Sequence, residues 1–179
     1  MRNHRRDIDA LALAVPLLAL AVLAWPSFAI AQMELRSWGP RIGYRFGDDG
    51  LDQFLLGAHA DLGDVFTYTR FAPHVEVGWG DDVTTVSMSP ELHYVWRDDP
   101  LGETTYFYGG GGIGLHIVDY DIDTGGGADV DDSDTDWKIN IAAGVETTTS
   151  KTIGYFGEIR VSFIDGTWVE FVGGLNLLR

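Results

Sequence analysis

Three groups of residues in this sequence have the types and spacing to do chemistry. The densest is the stretch 119–136, with carboxylates at Asp119, Asp121, Asp123, Asp129, Asp131, Asp132, Asp134 and Asp136. Like charges packed this closely repel unless water, salt or a cation screens them. Hard carboxylate oxygens suit calcium. Asp119-x-Asp121-x-Asp123 has the opening spacing of a helix-loop-helix calcium loop, but Thr124 stands where that loop needs glycine and Val130 where it needs a bidentate glutamate. The first reading is therefore a solvated acidic loop, loosened by Gly125-Gly126-Gly127, with calcium binding as the sharper alternative. The second group is Ser89, His74, Glu76 and Glu91. If Asp81-Asp82 is a two-residue turn, facing positions total 163, so His74 faces Ser89 with both glutamates on the same face. These types can serve as nucleophile, base and orienter. No oxyanion motif accompanies them, and a space-filling polar network is the plainer reading. The third group is His59, His74, His93 and His116, all on polar faces of adjacent segments. Their unequal distances from the turns put them at different heights, so hydrogen-bonded histidines are the default over a shared metal.

The elements that carry these residues are strands. In Val86–Arg97, the residues Val86, Met88, Pro90, Leu92, Tyr94 and Trp96 share one face, against Ser87, Ser89, Glu91, His93 and Arg97. Val95 is the one apolar residue on the second face, and alternation of this kind marks a strand between two different environments. The pattern recurs near Trp38–Phe46, Phe54–Leu62, Phe66–Trp79, Thr105–Val118, Trp137–Glu146, Ile153–Phe163 and Val169–Leu178. Gly47-Asp48-Asp49-Gly50, Gly63-Asp64, Asp81-Asp82, the run 98–103, the acidic loop 119–136, the run 147–151 and Asp165-Gly166 separate the strands. Eight consecutive strands with mostly short turns predict an all-β, antiparallel, up-and-down meander that closes into a barrel and so removes its edges. Pro73 and Pro90 interrupt two strands, and in the 163 register they face each other, which predicts one local bulge or bend.

The first 31 residues have a different character. Arg2, Arg5 and Arg6 precede an apolar stretch from Leu11 to Trp25, and Ala29-Ile30-Ala31 has the small-x-small form of a cleavage site. This predicts a secretory signal peptide at 1–31, leaving 32–179 as a single barrel domain. That segment keeps nine basic and 25 acidic residues, a formal net charge of −16. Such a charge disfavours nucleic acid as a partner and favours cations. The sequence contains no cysteine, which excludes a disulfide framework and a thiolate metal site.

Alternation alone leaves open which face is inside. A soluble carrier puts the apolar face inward, and a membrane barrel puts it against lipid. The strands have the length a tilted membrane strand needs. Aromatics gather towards strand ends, among them Trp38, Phe46, Phe54, Trp79, Tyr94, Trp96, Phe107, Trp137, Phe163 and Phe171. The polar face is charge-balanced: Arg41, Arg45, Arg70, Arg97, Lys138 and Arg160 against Asp61, Glu76, Glu91, Glu146, Glu158 and Glu170. Enclosed charges need such partners. Glycines on that face leave room for long side chains. Together these features resemble the small eight-stranded bacterial outer-membrane barrels, the OmpA/OmpX-like class. The resemblance is one of pattern over the segment 32–179.

It implies a monomeric transmembrane β-barrel in the outer membrane, exported through the secretory route and inserted by the barrel-assembly machinery. Lipid and lipopolysaccharide would be its surroundings, and the acidic loop would face outside the cell. The expected role is structural or in surface contact, without enzymatic activity, and the lumen is plugged by its charge pairs. Some barrels of that kind remodel lipopolysaccharide, which gives the Ser89 group its enzymatic alternative, a lipid A-modifying hydrolase. The chain departs from the class at Leu177-Leu178-Arg179, where an aromatic residue is usual. The competing reading is a soluble periplasmic or secreted lipocalin-like barrel that holds an apolar ligand.

Overall fold

In the computed structural model the alternating segments pair edge to edge until the first meets the last. The structure describes residues 33–47, 52–80, 83–96, 104–122, 130–164 and 166–179, with backbone only at 119–122 and 130–133. The expected signal peptide lies outside them. The described elements are β1 (Ser37–Gly47), β2 (Gln53–Asp61), β3 (Asp64–Phe66), β4 (Thr69–Phe71), β5 (His74–Gly80), β6 (Val83–Ser89), β7 (Glu91–Trp96), β8 (Thr105–Ile122), β9 (Val130–Thr148), β10 (Ile153–Phe163) and β11 (Thr167–Leu178). They make eight staves: β2 with β3, β4 with β5 and β6 with β7 each form one interrupted stave. Every pairing is antiparallel between chain neighbours, and Ser37 on β1 partners both Asp61 of β2 and Leu178 of β11, which closes the barrel. No helix among the described residues is long and apolar enough to cross a membrane; a barrel crosses with strands.

The prolines fall where two strands break. His74 pairs Ser89 on one side of the break and Arg70 pairs His93 on the other, so the register runs through unchanged. Pro73 and Pro90 stand opposite each other outside the ladder. Neighbouring bonds cover the gap: Ala72 N–H donates to the Glu91 carbonyl at 2.8 Å, and Ala60 N–H to the Pro73 carbonyl at 3.0 Å. Neither proline has an N–H to leave unsatisfied.

Two expected boundaries are corrected. Gly63-Asp64 is not the turn between the second and third staves. The chain continues through β3 and turns at Thr67-Tyr68, while Gly63 (φ +85°) takes up a register shift between β2 and β3. A glycine with positive φ is equally at home in a bulge and a turn, so its presence did not separate the two. The acidic stretch is also not one loop. β8 runs to Ile122 and β9 starts at Val130, with Asp119 opposite Ser133 and Asp121 opposite Asp131. Backbone pairing carried on from the barrel outweighed the low strand preference of aspartate.

Burial decides the faces. Trp38, Ile42, Phe54, Leu56, Met88, Ile141 and Ile159 are exposed outward, while Arg45, Lys138, Arg160 and Glu170 are completely buried inward. Aromatics cluster at both ends of the outer wall. Tyr44, Phe46 and Phe171 meet at one end (ring centroids 4.9 and 5.9 Å), and Tyr68, Tyr94 and Trp96 at the other (6.2 and 5.3 Å).

Tight curvature explains the inward glycines. A Cβ on Gly110 would lie 1.9 Å from the Leu92 carbonyl oxygen, so β7 and β8 can approach this closely only without a side chain. Gly157, on the outer wall, would meet nothing within 4 Å. Gly110→Ala is expected to cost about 1–3 kcal/mol through backbone displacement. Gly157→Ala should stay within about 0.5 kcal/mol of the parent. Urea unfolding in detergent compares the two directly.

Candidate functional site

The inward face is a continuous set of charge pairs centred on Arg160. Its guanidinium contacts four carboxylates: Glu170 (2.9 Å), Glu76 (3.2 Å), Glu91 (3.3 Å) and Glu158, to which Nη2 donates. Strand alternation alone puts Glu158, Arg160 and Ser162 of β10 on this face, and cross-strand register sets Arg160 beside Glu170 of β11. Arg41 reinforces the centre, with Nε 2.8 Å from Glu76 and Nη2 donating to Glu158 at 3.0 Å.

Towards the hairpin end, Arg45 donates to Glu170 and Gln53, both at 2.8 Å, and lies over the Trp168 ring at 4.6 Å. Towards the end that holds the chain termini, Arg70 donates to Glu146 at 2.6 Å and to Asp61 at 3.3 Å, and covers Tyr108 at 4.8 Å. Lys138 is fully buried, and its ammonium has no hydrogen-bond partner among the described residues. Arg97, the remaining residue of the expected lumen set, lies outside the described residues.

The proposed nucleophile group is brought into one layer without the contact that activation requires. Ser89 sits opposite His74, yet Ser89 Oγ accepts from Asn140 Nδ2 at 2.9 Å, and neither ring nitrogen of His74 has a hydrogen-bond partner. His74 lies between Glu76 (3.7 Å) and Glu91 (3.9 Å). A base must reach the proton it removes, so this layer is read as packing. Ser89→Ala should cost about 1 kcal/mol in unfolding experiments, the order of one hydrogen bond. It should leave lipid A unchanged, by mass spectrometry of extracts from producing cells.

The four histidines are spread through the lumen. His59 Nε2 donates to Asn176 Oδ1 at 2.7 Å, His116 pairs with Ser87 at 2.8 Å, and His93 pairs with Glu91 at 2.8 Å. Of the acidic stretch, Asp119 and Asp121 stand on β8 and Asp131, Asp132, Asp134 and Asp136 on β9, while Asp123 and Asp129 lie outside the described residues.

Sequence reasoning left several lumen residues out of the network. Trp168 lies one residue before the predicted start of its strand. Tyr108 donates to Glu158 at 2.8 Å and stacks on His93 at 4.9 Å. Asn140 bridges Ser89, Glu91 and Ser162. Residue parity placed Tyr108 and Asn140 on the polar face but could not name their partners. A recess of ≈ 710 Å³ opens between outward side chains, among them Trp96, Phe107, Ile159 and Phe171 around Gly157 and Gly173.

The same architecture recurs among solved structures. Neisserial surface protein A is similar over 80% of this chain and 95% of its own, at 14% identity and a TM-score of 0.64. The N-terminal β-barrel domain of Pseudomonas aeruginosa OprF matches over 80% and 98%, at 15% identity and a TM-score of 0.57. Ail, the attachment invasion locus protein of Yersinia pestis, matches over 80% and 95%, at 14% identity and a TM-score of 0.53. No protein-family model and no curated protein matches the chain. The fold is that of the small eight-stranded outer-membrane barrels.

Proposed function

We propose that the chain is a bacterial outer-membrane barrel with a structural or surface-contact role, its lumen plugged and its acidic β8–β9 hairpin displayed outside the cell to associate with divalent cations. The observation that supports this best is the direction of the two faces. Apolar side chains point out, and the buried interior is dominated by paired charges. A carrier of apolar ligands needs the reverse. An interior occupied by Arg41, Arg45, Lys138 and Arg160 with their carboxylates has little space for a passage. Aspartates alone do not make a tight calcium site, so cation association here means attraction and bridging to neighbouring anionic groups.

The test is a variant with all eight aspartates of 119–136 changed to asparagine. Intact cells producing it should bind less calcium than cells producing the parent, and protease added outside should cut both proteins in the hairpin. Equal calcium binding would sink the cation role. A hairpin protected in intact cells and cut only after lysis would sink the outward display.

A further inference from the structure

We propose that the lumen holds a divalent transition-metal ion on Glu91, His93 and Glu158, a site separate from the surface hairpin and independent of the role proposed above. One donor atom from each lies within 4.8 Å of the others, and all three residues are buried. Bonds of about 2.0–2.2 Å span donors up to about 4 Å apart, so small side-chain movements close the triangle around an ion.

The oxygens are divided in a way that suits this. On each glutamate, Oε1 faces cations or amides: Glu91 Oε1 has Arg160 at 3.3 Å and accepts from Asn140 at 3.1 Å, and Glu158 Oε1 accepts from Arg41 and Arg160. Glu91 Oε2 turns to His93 Nε2 at 2.8 Å, and Glu158 Oε2 to the Tyr108 hydroxyl at 2.8 Å. The outer partners fix the carboxylates in place, as residues behind a metal ligand do. Tyr108 also stacks on His93, with rings 17° from parallel, and sets its orientation.

A second buried imidazole lies next to the triangle. The His74 side chain is 1% exposed, both its ring nitrogens lack a hydrogen-bond partner, and Nδ1 lies 3.9 Å from Glu91 Oε1. Burying an imidazole with nothing to bond is costly. His74 faces the Glu91 oxygen that Arg160 and Asn140 hold, so it lies beside the triangle and is not one of its ligands.

Two neighbouring recesses lie towards the end that holds the chain termini. A recess of ≈ 260 Å³ at the mouth and one of ≈ 30 Å³ behind it share Ser37, Asp61, Arg70, Glu146 and Asn176, and the inner one reaches His93, Tyr108 and Glu158. Two carboxylates and an imidazole favour zinc and its first-row neighbours over calcium, which prefers more oxygens.

The experiment loads the folded full-length protein in detergent with zinc, removes free metal by gel filtration, and counts bound zinc by atomic emission. Parent, His93→Phe and the eight-asparagine hairpin variant are compared, each checked for β-structure by circular dichroism. The phenyl ring keeps the stack on Tyr108 and removes the ligand. The parent and the hairpin variant should retain one zinc per barrel, and His93→Phe none. His93→Cys supplies a thiolate instead, and with cobalt as the probe it should show sulfur-to-cobalt charge-transfer absorption. Zinc absent from the folded parent, equal in His93→Phe, or lost in the hairpin variant would overturn the site. Should His93→Phe fail to fold, a folded His93→Cys without the cobalt band overturns it equally.

Discussion

Arg160→Ala should destabilise the barrel by about 3–5 kcal/mol, the range expected when one partner of a buried ion pair is removed. The argument rests on what remains. Glu76, Glu91, Glu158 and Glu170 would lose their common cation inside a closed wall. Arg41 still reaches Glu76 and Glu158, and Arg45 still reaches Glu170, but among the described residues Glu91 keeps no arginine, only hydrogen bonds with Asn140 and His93 and the His74 ring at 3.9 Å. Glu91 should therefore carry most of the penalty. The check is a double-mutant cycle: Glu91→Gln in the Arg160→Ala background should recover part of the loss, while Glu91→Gln alone should destabilise. Urea unfolding in detergent micelles measures all four corners. Strict additivity would mean that the two side chains do not act as a pair.

Ile159→Arg should cost about 2–4 kcal/mol, because the position lies near the middle of β10 on the outer wall, where arginine would face hydrocarbon. Adjacent positions thus demand opposite chemistry: Arg160 cannot lose its charge, and Ile159 cannot gain one. Measurement in lipid bilayers, where the surroundings of the outer wall are apolar, gives the full effect. In a water-soluble barrel of the same fold, an arginine at an exposed position would change stability by less than about 0.5 kcal/mol. Ile159→Leu serves as the control for shape and should stay within about 1.5 kcal/mol of the parent.

Much of the fold was legible because a strand reports its two faces at every second residue. The alternation in β1 and β10 placed Ile42 and Ile159 on one side and Arg41 and Arg160 on the other, and the closed barrel keeps that division. The 163 register followed from one two-residue turn and holds from Gly80 opposite Val83 to Thr69 opposite Tyr94. The missed turn and the overextended loop share a cause. Turn-forming residues such as Gly63 and Asp121 also fit bulges and the far reaches of a hairpin, and only pairing partners distant in sequence distinguish the cases.

The candidate sites were less legible for a related reason. Parity put Ser89, His74 and the glutamates on one face, but side-chain reach decided the contacts. Asn140 takes Ser89, and Arg160 draws the carboxylates to the axis. Glu91 and His93 stand two residues apart on β7, but Glu158 comes from β10, so no local spacing could have linked it to them.

The most direct measurement of the central claim is fractionation of bacterial cells expressing the full sequence, with gel mobility compared before and after boiling. A closed, lipid-facing barrel with a packed lumen predicts recovery in the outer-membrane fraction, release only with detergent, and a band that shifts on heating. A freely soluble protein with unchanged mobility would contradict it, and the faces assigned here to lipid would have to enclose a ligand instead.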